Sequence, residues 1–419
     1  MATRDSIVIV GAGEAGARAA TALREAGFAG GVTIIGDEPH APYERPPLSK
    51  AALTHEAEPL AATILSPERR AEHDIALRTD TRVISIDRAA HRITLSGGEE
   101  LSYDRLLLAT GARARRVSID GLAAEAVLTL RTFDEARALR ARLRPGLRLA
   151  ILGGGFIGLE LAAAARARGA EVTVIELAPR LLARAVPADL AAIVAARHTA
   201  EGVTILTGTG IEQIEPGEGG RVLVLSSGER IACDGIVAGV GALPETDLAA
   251  RAGLAIDNGV AVDERLATTD PDIFAAGDCC SFPHALYDGR RLRLEAWRNA
   301  QDQGKAAASG MLGGTEPYAA VPWFWSDQYD ITLQIAGLPD EGHATVTRDL
   351  GDGARLDFHV AADGRLVGSS AVGPNGRIAR DVRVAEMLIA RRARPDRAAL
   401  ADATVKLKGL LADAAGRRH

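Results

Sequence analysis

The sequence predicts an α/β fold in which one strand–helix–strand unit occurs twice and a smaller α+β segment follows. Three observations predict it. Two glycine-rich turns of the same spacing, Gly11-Ala12-Gly13-Glu14-Ala15-Gly16 and Gly153-Gly154-Gly155-Phe156-Ile157-Gly158, each follow an apolar run and open an alanine-rich stretch. The elements after each turn recur in the same order, an internal repeat at domain scale. From about Val321 the pattern turns to alternating strands and then to an amphipathic helix over Ile378–Arg392.

The first unit runs from a strand at Ser6–Val10 through a helix over about Ala17–Ala26 into a strand at Val32–Ile35. The second runs from Leu149–Leu152 through Glu160–Arg168 into Glu171–Ile175. These lengths suit parallel strands joined by a crossover helix. Arg82–Ile86 and Arg92–Leu95 predict a small antiparallel meander, and Gly210–Ile214, Arg221–Leu225 and Cys233–Ala238 repeat it in the second half. Leu106–Leu108 is an apolar run that Ala109-Thr110-Gly111 ends in a tight exit, and Ala344–Thr347 and Arg355–Val360 read as C-terminal strands. In such strand–turn–helix contexts the first glycine makes the turn, the second lets backbone approach a pyrophosphate, and the third lets helix and strand pack closely. The helix N-terminus then faces the phosphate charge. Two dinucleotides are implied.

At 419 residues and 47% hydrophobic content the chain has room for two or three cored domains. A formal charge of −6 argues against nucleic acid as a partner. No run has the length of a membrane span and the N-terminus lacks a signal-peptide layout, so the cytoplasm is expected. The three cysteines, Cys233, Cys279 and Cys280, form no Cys-x-x-Cys pair, and the vicinal two read as packing residues. No metal site is expected. Arg377, Arg380, Arg383, Arg391, Arg392, Arg394 and Arg397 concentrate positive charge near the C-terminus.

Glu176, closing the strand Val172–Ile175, is the acidic residue expected about twenty positions after the second turn. A carboxylate there holds a ribose hydroxyl and repels a ribose phosphate, which predicts NADH over NADPH. Arg180 and Arg184 lie close by and admit the opposite reading, as phosphate ligands. In the first half Gly36 takes the place of Glu176, and Asp37 and Glu38 follow it.

The two turns, with Pro42-Tyr43-Glu44-Arg45-Pro46-Pro47-Leu48-Ser49-Lys50, Ala109-Thr110-Gly111, Ile273-Phe274-Ala275-Ala276-Gly277-Asp278 and Pro322-Trp323-Phe324-Trp325-Ser326-Asp327-Gln328-Tyr329, resemble the FAD-dependent NADH:ferredoxin reductases of bacterial oxygenase systems. The resemblance spans nearly the whole chain. It implies a glutathione-reductase-like fold, with two Rossmann-type dinucleotide-binding domains plus an α+β C-terminal domain that covers the flavin. The expected division is 1–111 with 248–320 for FAD, 112–247 for NADH and 321–419 for the C-terminal domain.

Carried over residue by residue, the resemblance assigns FAD contacts to Gly11, Gly13, Ala15, Gly16, Asp37, Arg45, Lys50, Val83, Ala109, Thr110, Gly111, Arg131, Gly277, Asp278, Glu295, Ala296, Trp297 and Trp325. NAD contacts fall to Gly153, Gly155, Phe156, Ile157, Gly158, Glu160, Glu176, Arg184 and Gly241. Lys50 and Glu160 are expected as a coupled pair at the flavin, and Trp325 as a relay for single electrons. Read without the resemblance, Lys50 is a surface lysine at a helix start, Asp278 a helix N-cap, and each tryptophan core packing. The implied partner is a small acidic 2Fe-2S ferredoxin, and through it an oxygenase; the implied state is a monomer. NADH gives two electrons and an iron–sulfur cluster takes one, a mismatch that a flavin bridges. Glu44 to Lys50 holds no cysteine, which excludes a disulfide reductase and argues against a peroxide- or oxygen-reducing NADH oxidase. A rubredoxin reductase and an NADH-sensing flavoprotein stay open as alternatives.

Overall fold

The computed structural model describes residues 5–57, 59–119, 126–217 and 220–416. The chain falls into two compact units, both discontinuous: Met1–Arg45 with Ala61–Arg113 and Leu243–Ala320, and Pro46–Leu60 with Ala114–Ala242 and Val321–His419. Among the described residues no helix is long and apolar enough to cross a membrane.

The first unit is built on a five-stranded parallel sheet in the order Ile273–Ala275, Arg105–Leu108, Ser6–Val10, Gly31–Ile35, Ile75–Arg78. Ile7, Ile9, Ile34, Leu106 and Leu107 are all almost fully buried, as strands covered on both faces require. The helix Glu14–Glu25 returns the chain across the sheet and packs on the helix Trp297–Met311. That contact is close because Gly304 has no side chain: a Cβ there would lie 2.4 Å from the Ala15 carbonyl oxygen. The meander is a three-stranded antiparallel sheet, Val83–Asp87, Arg92–Leu95 and Glu100–Ser102.

The second unit repeats the plan. Its parallel sheet has the order Thr204–Thr207, Glu171–Glu176, Arg148–Leu152, Gly235–Ala238, and its antiparallel sheet the strands Ile211–Gly217, Gly220–Leu225 and Arg230–Cys233. The run Cys233–Ala238, predicted as one stretch, is therefore two strands in two sheets. Asp234 makes the break: its carboxylate accepts from the Arg148 backbone N–H at 2.9 Å and pairs with the Arg148 guanidinium at 2.5 Å. Asp104 does the same in the first unit, accepting from the Ser6 N–H at 2.7 Å. The second unit also holds the C-terminal antiparallel sheet, in the order Trp323–Gln328, Ile331–Gly337, Leu366–Pro374, Ala354–Val360, Ala344–Gly351, with the helix Ala379–Ala390 packed on it. Pro46–Leu60 joins this unit as a short 3₁₀ turn, Pro46–Ser49, and one turn of helix, Ala51–Thr54.

Candidate functional site

In each glycine turn, packing within the chain accounts for two glycines and leaves the third unexplained. Gly11 has φ +121°, and a Cβ on it would meet the Ala109 carbonyl oxygen at 2.0 Å; one on Gly16 would meet the Gly11 oxygen at 2.1 Å. Gly153, at φ +97°, would meet the Gly239 oxygen at 2.6 Å, and Gly158 the Gly153 oxygen at 2.1 Å. Around Gly13, however, nothing lies within 4 Å, and around Gly155 only the Gly239 oxygen, at 3.9 Å. These two glycines cap the twelve-residue helices Glu14–Glu25 and Phe156–Ala167 without any side-chain capping bond. Open space above uncapped N–H groups at a helix start fits a pyrophosphate.

Of the other first-unit positions, Ala109, Thr110 and Gly277 adjoin that turn or the helix it opens. Ala109 is buried, the Thr110 hydroxyl donates to the Glu245 carbonyl at 2.6 Å, and Gly111 turns at φ +69°. The Gly277 N–H donates to Gln303 Oε1 at 2.8 Å, and its Cβ position is 3.1 Å from Ala15. Asp278 sits in the turn before the strand Cys280–His284, so its reading as a helix N-cap is overturned: no helix follows it. Arg45 pairs with Glu38 at 2.7 Å and stands over the Tyr43 ring, while Tyr43 donates to Glu38 at 2.5 Å. Glu38 is thus held by its neighbours and Asp37 is the exposed carboxylate. Glu295 is exposed and paired with Arg293 at 2.6 Å; Ala296 and Trp297 begin the helix Trp297–Met311; Val83 is buried at the start of the meander. Cys279 and Cys280 are fully buried, and burial pushes both thiols up from the ordinary range, away from redox chemistry.

In the second unit Glu176 binds its own turn. Its Oε2 accepts from the Gly154 N–H at 2.6 Å and its Oε1 from the Ala178 N–H at 2.7 Å. The two halves solve one steric problem in opposite ways. A Cβ on Gly154 would meet the Glu176 Cβ at 3.3 Å, and one on Gly36 would meet the Ala12 Cβ at 2.5 Å. The side chain therefore sits on the strand end in one half and on the turn in the other. Arg180 spends its guanidinium on the carbonyls of Leu181, Ala183 and Val186, which holds the loop shut and removes it from the phosphate reading. Arg184 is exposed, with Nη2 at 3.7 Å from the Cβ position of Gly241. Ile157 is 46% exposed on the second helix, and the Phe156 ring packs on Phe324 at 4.2 Å.

Also within this unit, Lys50 Nζ lies 2.9 Å from Glu160 Oε1. Glu160 is 5% exposed, and its other partners are the hydroxyls of Ser49, donating to Oε2, and Ser326, donating to Oε1 at 2.6 Å. A buried carboxylate survives only when paired and hydrogen-bonded in this way. Lys50 Nζ is 5.7 Å from the Trp325 ring centroid; Trp325 stacks on Trp323 and donates Nε1–H to Asp327 at 3.0 Å. Arg131 stands just before the helix Phe133–Arg140, and its backbone N–H donates to Glu135 at 2.7 Å.

Sequence reasoning missed the serines on Glu160 and an arginine of the repeat. Arg24 and Arg166 each stand thirteen residues after the first glycine of their turn. Each donates to the carbonyl four residues on, Phe28 or Ala170, at 2.6 Å, and to a second segment, at His73 or Glu201. Equal offset from the glycines was the available signal.

Residues 5–304 match the family described as pyridine nucleotide-disulphide oxidoreductase, and residues 323–411 the one described as reductase C-terminal. The ferredoxin–NAD(+) reductase component of the anthranilate 1,2-dioxygenase system of Burkholderia cepacia is 43% identical over 410 residues, 97% of this chain and 99% of that one. The ferredoxin reductase of the CYP199A2 system from Rhodopseudomonas palustris is similar at a TM-score of 0.91 and 37% identity, covering 97% of this chain and 99% of that one. Putidaredoxin reductase, solved as a covalent complex with putidaredoxin, gives a TM-score of 0.92 at 34% identity over 99% of each chain. Similarity of this extent, on a chain that carries both glycine turns and the C-terminal sheet, establishes that it belongs to the pyridine nucleotide-disulphide oxidoreductase family, among its ferredoxin reductases.

Proposed function

We propose that the chain is an NADH:ferredoxin oxidoreductase that binds FAD at the first glycine turn and NADH at the second, and passes electrons singly to a small acidic 2Fe-2S ferredoxin serving a terminal oxygenase. When bound, FAD supplies the two-to-one electron conversion; the protein positions and polarises. Gly11, Gly13 and Gly16 seat its pyrophosphate, with Arg45, Thr110, Asp278, Glu295 and Trp297 as further contacts. Glu176 selects the nicotinamide cofactor without a ribose phosphate. Lys50 and Glu160 act as one charged pair in hydride transfer, and Trp325 serves the outward electron path. On this reading the first unit holds most of the FAD domain, 1–111 with 248–320, and the second holds most of an NADH domain over 112–247 and a flavin-covering domain over 321–419, working as a cytoplasmic monomer.

The observation that carries this reading is the pair of turns whose middle glycines, Gly13 and Gly155, face open space, with a carboxylate at the end of the second strand only. The test is steady-state reduction of a 2Fe-2S ferredoxin, and of a rubredoxin in parallel, by NADH and NADPH. Ferredoxin turnover that prefers NADH supports the reading; faster rubredoxin turnover reassigns the acceptor.

Docking to an acidic partner is steered by the C-terminal arginines. Arg377, Arg380 and Arg383 are exposed, although Arg383 shares its charge with Glu386 at 2.7 Å and Arg377 donates to the Leu350 carbonyl at 2.7 Å. Steering weakens with salt, because the Debye length falls from about 10 Å at 0.1 M to about 3 Å at 1 M. Ferredoxin reduction is expected to fall as salt rises while reduction of a small artificial acceptor stays flat. Charge reversal at the three arginines is expected to mimic high salt; wild-type behaviour of that variant moves the docking surface elsewhere.

A further inference from the structure

From Glu160 a single file of hydrogen bonds runs through the interior of the second unit. Ser326 Oγ donates to Glu160 Oε1 at 2.6 Å, Gln328 Nε2 donates to Ser326 Oγ at 3.0 Å, His198 Nε2 meets Gln328 Oε1 at 2.7 Å, and Tyr329 Oη meets His198 Nδ1 at 3.3 Å. Glu160, Ser326, Gln328 and His198 are each no more than 5% exposed. Glu160 comes from the helix Phe156–Ala167, Ser326 and Gln328 from the strand Trp323–Gln328, and His198 from the helix Ala188–Ala200.

The carboxylate at one end fixes every proton in this file. Facing Lys50, Glu160 only accepts, so the Ser326 hydroxyl proton is committed to it and Ser326 Oγ accepts from the next residue. Gln328 must then turn its NH₂ toward Ser326 and its carbonyl toward His198. His198 answers with Nε2–H, and burial, the main influence on it, holds its imidazole below the ordinary pKa and hence neutral. Its Nδ1 is then an acceptor, and Tyr329 donates. All four donors point toward Glu160, an arrangement in which each bond polarises the next.

The outer end of the file is built at a cost. Tyr329 opens the two-residue turn between the strands Trp323–Gln328 and Ile331–Gly337 at φ +55°, where glycine is the unstrained choice and a bulky side chain is strained. Its ring is held by His198 at 5.0 Å and by the Arg197 guanidinium at 5.0 Å. Arg197 is itself anchored to Asp330 at 2.7 Å and to Glu201.

We infer that Gln328, His198 and Tyr329 are positioning residues for hydride transfer, which act through Ser326 to hold the Glu160 carboxylate in place against Lys50. The inference rests on the functional reading above for its consequence, and on geometry alone for its existence. The charged and titratable groups around the file are Lys50 at the inner end and Arg166, Arg197, Glu201 and Asp330 at the outer one.

The test changes one end and reads the other. In the FAD-loaded protein with ¹⁵N-labelled histidine, the His198 ring is expected to be the pure Nε2–H tautomer at about pH 8. Lys50 and Ser326 share Glu160 Oε1, so an amide alone would keep its carbonyl there; in Glu160→Gln combined with Lys50→Met the terminal amide is free to turn either way, the direction of the file is no longer fixed and His198 is expected to show a mixture of tautomers. Unchanged His198 nitrogens in that variant would overturn the coupling. A second arm measures flavin reduction by NADH in stopped flow. His198→Phe and Gln328→Leu are expected to slow it about tenfold, the worth of one hydrogen bond to a charged group, with the NADH concentration for half-maximal rate unchanged. His198→Gln, which restores an N–H toward Gln328, is expected to recover most of the rate. Equal rates in His198→Phe and wild type would overturn the positioning role even if the tautomer coupling stands. A wild-type flavin that NADH does not reduce would instead refute the functional reading, and the histidine spectra would still decide the file.

Discussion

Glu176 and Lys50 show how differently single residues announce themselves. Glu176 was legible from its position alone, at the strand end after the second glycine turn. The structure adds that its two oxygens accept from Gly154 and Ala178, so it shapes the turn in addition to the selective role proposed for it. Glu176→Gln is accordingly expected to narrow the preference for NADH over NADPH by on the order of 1–3 kcal/mol, part of it through weaker NADH binding as one acceptor oxygen becomes a donor. A ratio of kcat/KM values equal to the wild type would remove Glu176 from specificity. Lys50 gave no such local signal: before Ala51-Ala52-Leu53 it reads as a surface lysine, and only the family resemblance joined it to Glu160, more than a hundred residues away. Their 2.9 Å contact predicts coupled behaviour. Lys50→Met leaves a buried carboxylate with two serine donors and no cation, and is expected to slow flavin reduction while FAD stays bound. Adding Glu160→Gln should then cost less than it does alone, because the two form one unit; strictly additive effects in the double-mutant cycle would separate them.

Among the elements, the strand–turn–helix units were the most legible, since buried parallel strands and helix periodicity write themselves into short stretches. What the sequence hid were changes of sheet within a continuous apolar pattern. Cys233–Ala238 reads as one strand because both halves are apolar, and only the tie of Asp234 to Arg148 divides them. Asp278 likewise reads as a cap because a glycine and a carboxylate after a strand are common to caps and to strand-linking turns. The three glycines of each turn were equally visible yet do different work, and this gives an element-scale prediction. At Gly155 the nearest atom to a Cβ is 3.9 Å away, so Gly155→Val is expected to keep the melting temperature within about 1–2 °C of the wild type while NADH affinity falls at least about tenfold. At Gly158 the Cβ would sit 2.1 Å from a carbonyl oxygen, so Gly158→Val is expected to lower stability by about 1–3 kcal/mol or more. Thermal unfolding and NADH titration of both variants check this; a Gly155→Val protein that binds NADH normally would take the pyrophosphate away from that turn.

At the scale of the whole molecule, composition and repeat foretold two similar halves and an added segment, but not that Pro46–Leu60 belongs with the second unit. Nor did the sequence single out the buried histidines. His198 and His284 are 0% exposed and His359 4%. Burial is the main cause that lowers the pKa of each. Each also uses a ring nitrogen as an acceptor or in a hydroxyl contact: His284 Nδ1 accepts from the Leu286 N–H at 3.3 Å, and His359 Nε2 lies 3.0 Å from Ser370 Oγ. Because the folded-state pKa is depressed below the unfolded one, the unfolded chain binds more protons as pH falls, and folding loses stability. That contribution is fully present above about pH 6.5 and declines below it, by about 1.4 kcal/mol per pH unit for each histidine until its folded-state pKa is reached. The slope begins at about 2 kcal/mol per unit for the three together near pH 6.5 and can reach at most about 4 kcal/mol per unit below it. The carboxylates held low, such as Asp234 beside Arg148 and Asp270 beside Arg88, lose their contribution only below their own unfolded value of about 3.9, so they do not obscure the region between about pH 6.5 and pH 4.5. Thermal unfolding with saturating FAD is therefore expected to give a plateau above about pH 7 and a steep fall beneath it. His359→Gln, which keeps a polar side chain facing Ser370 without a titrating ring, is expected to remove about a third of the slope. A melting temperature that stays level from about pH 7 to pH 5 would mean that these rings take up protons in the fold as readily as in water.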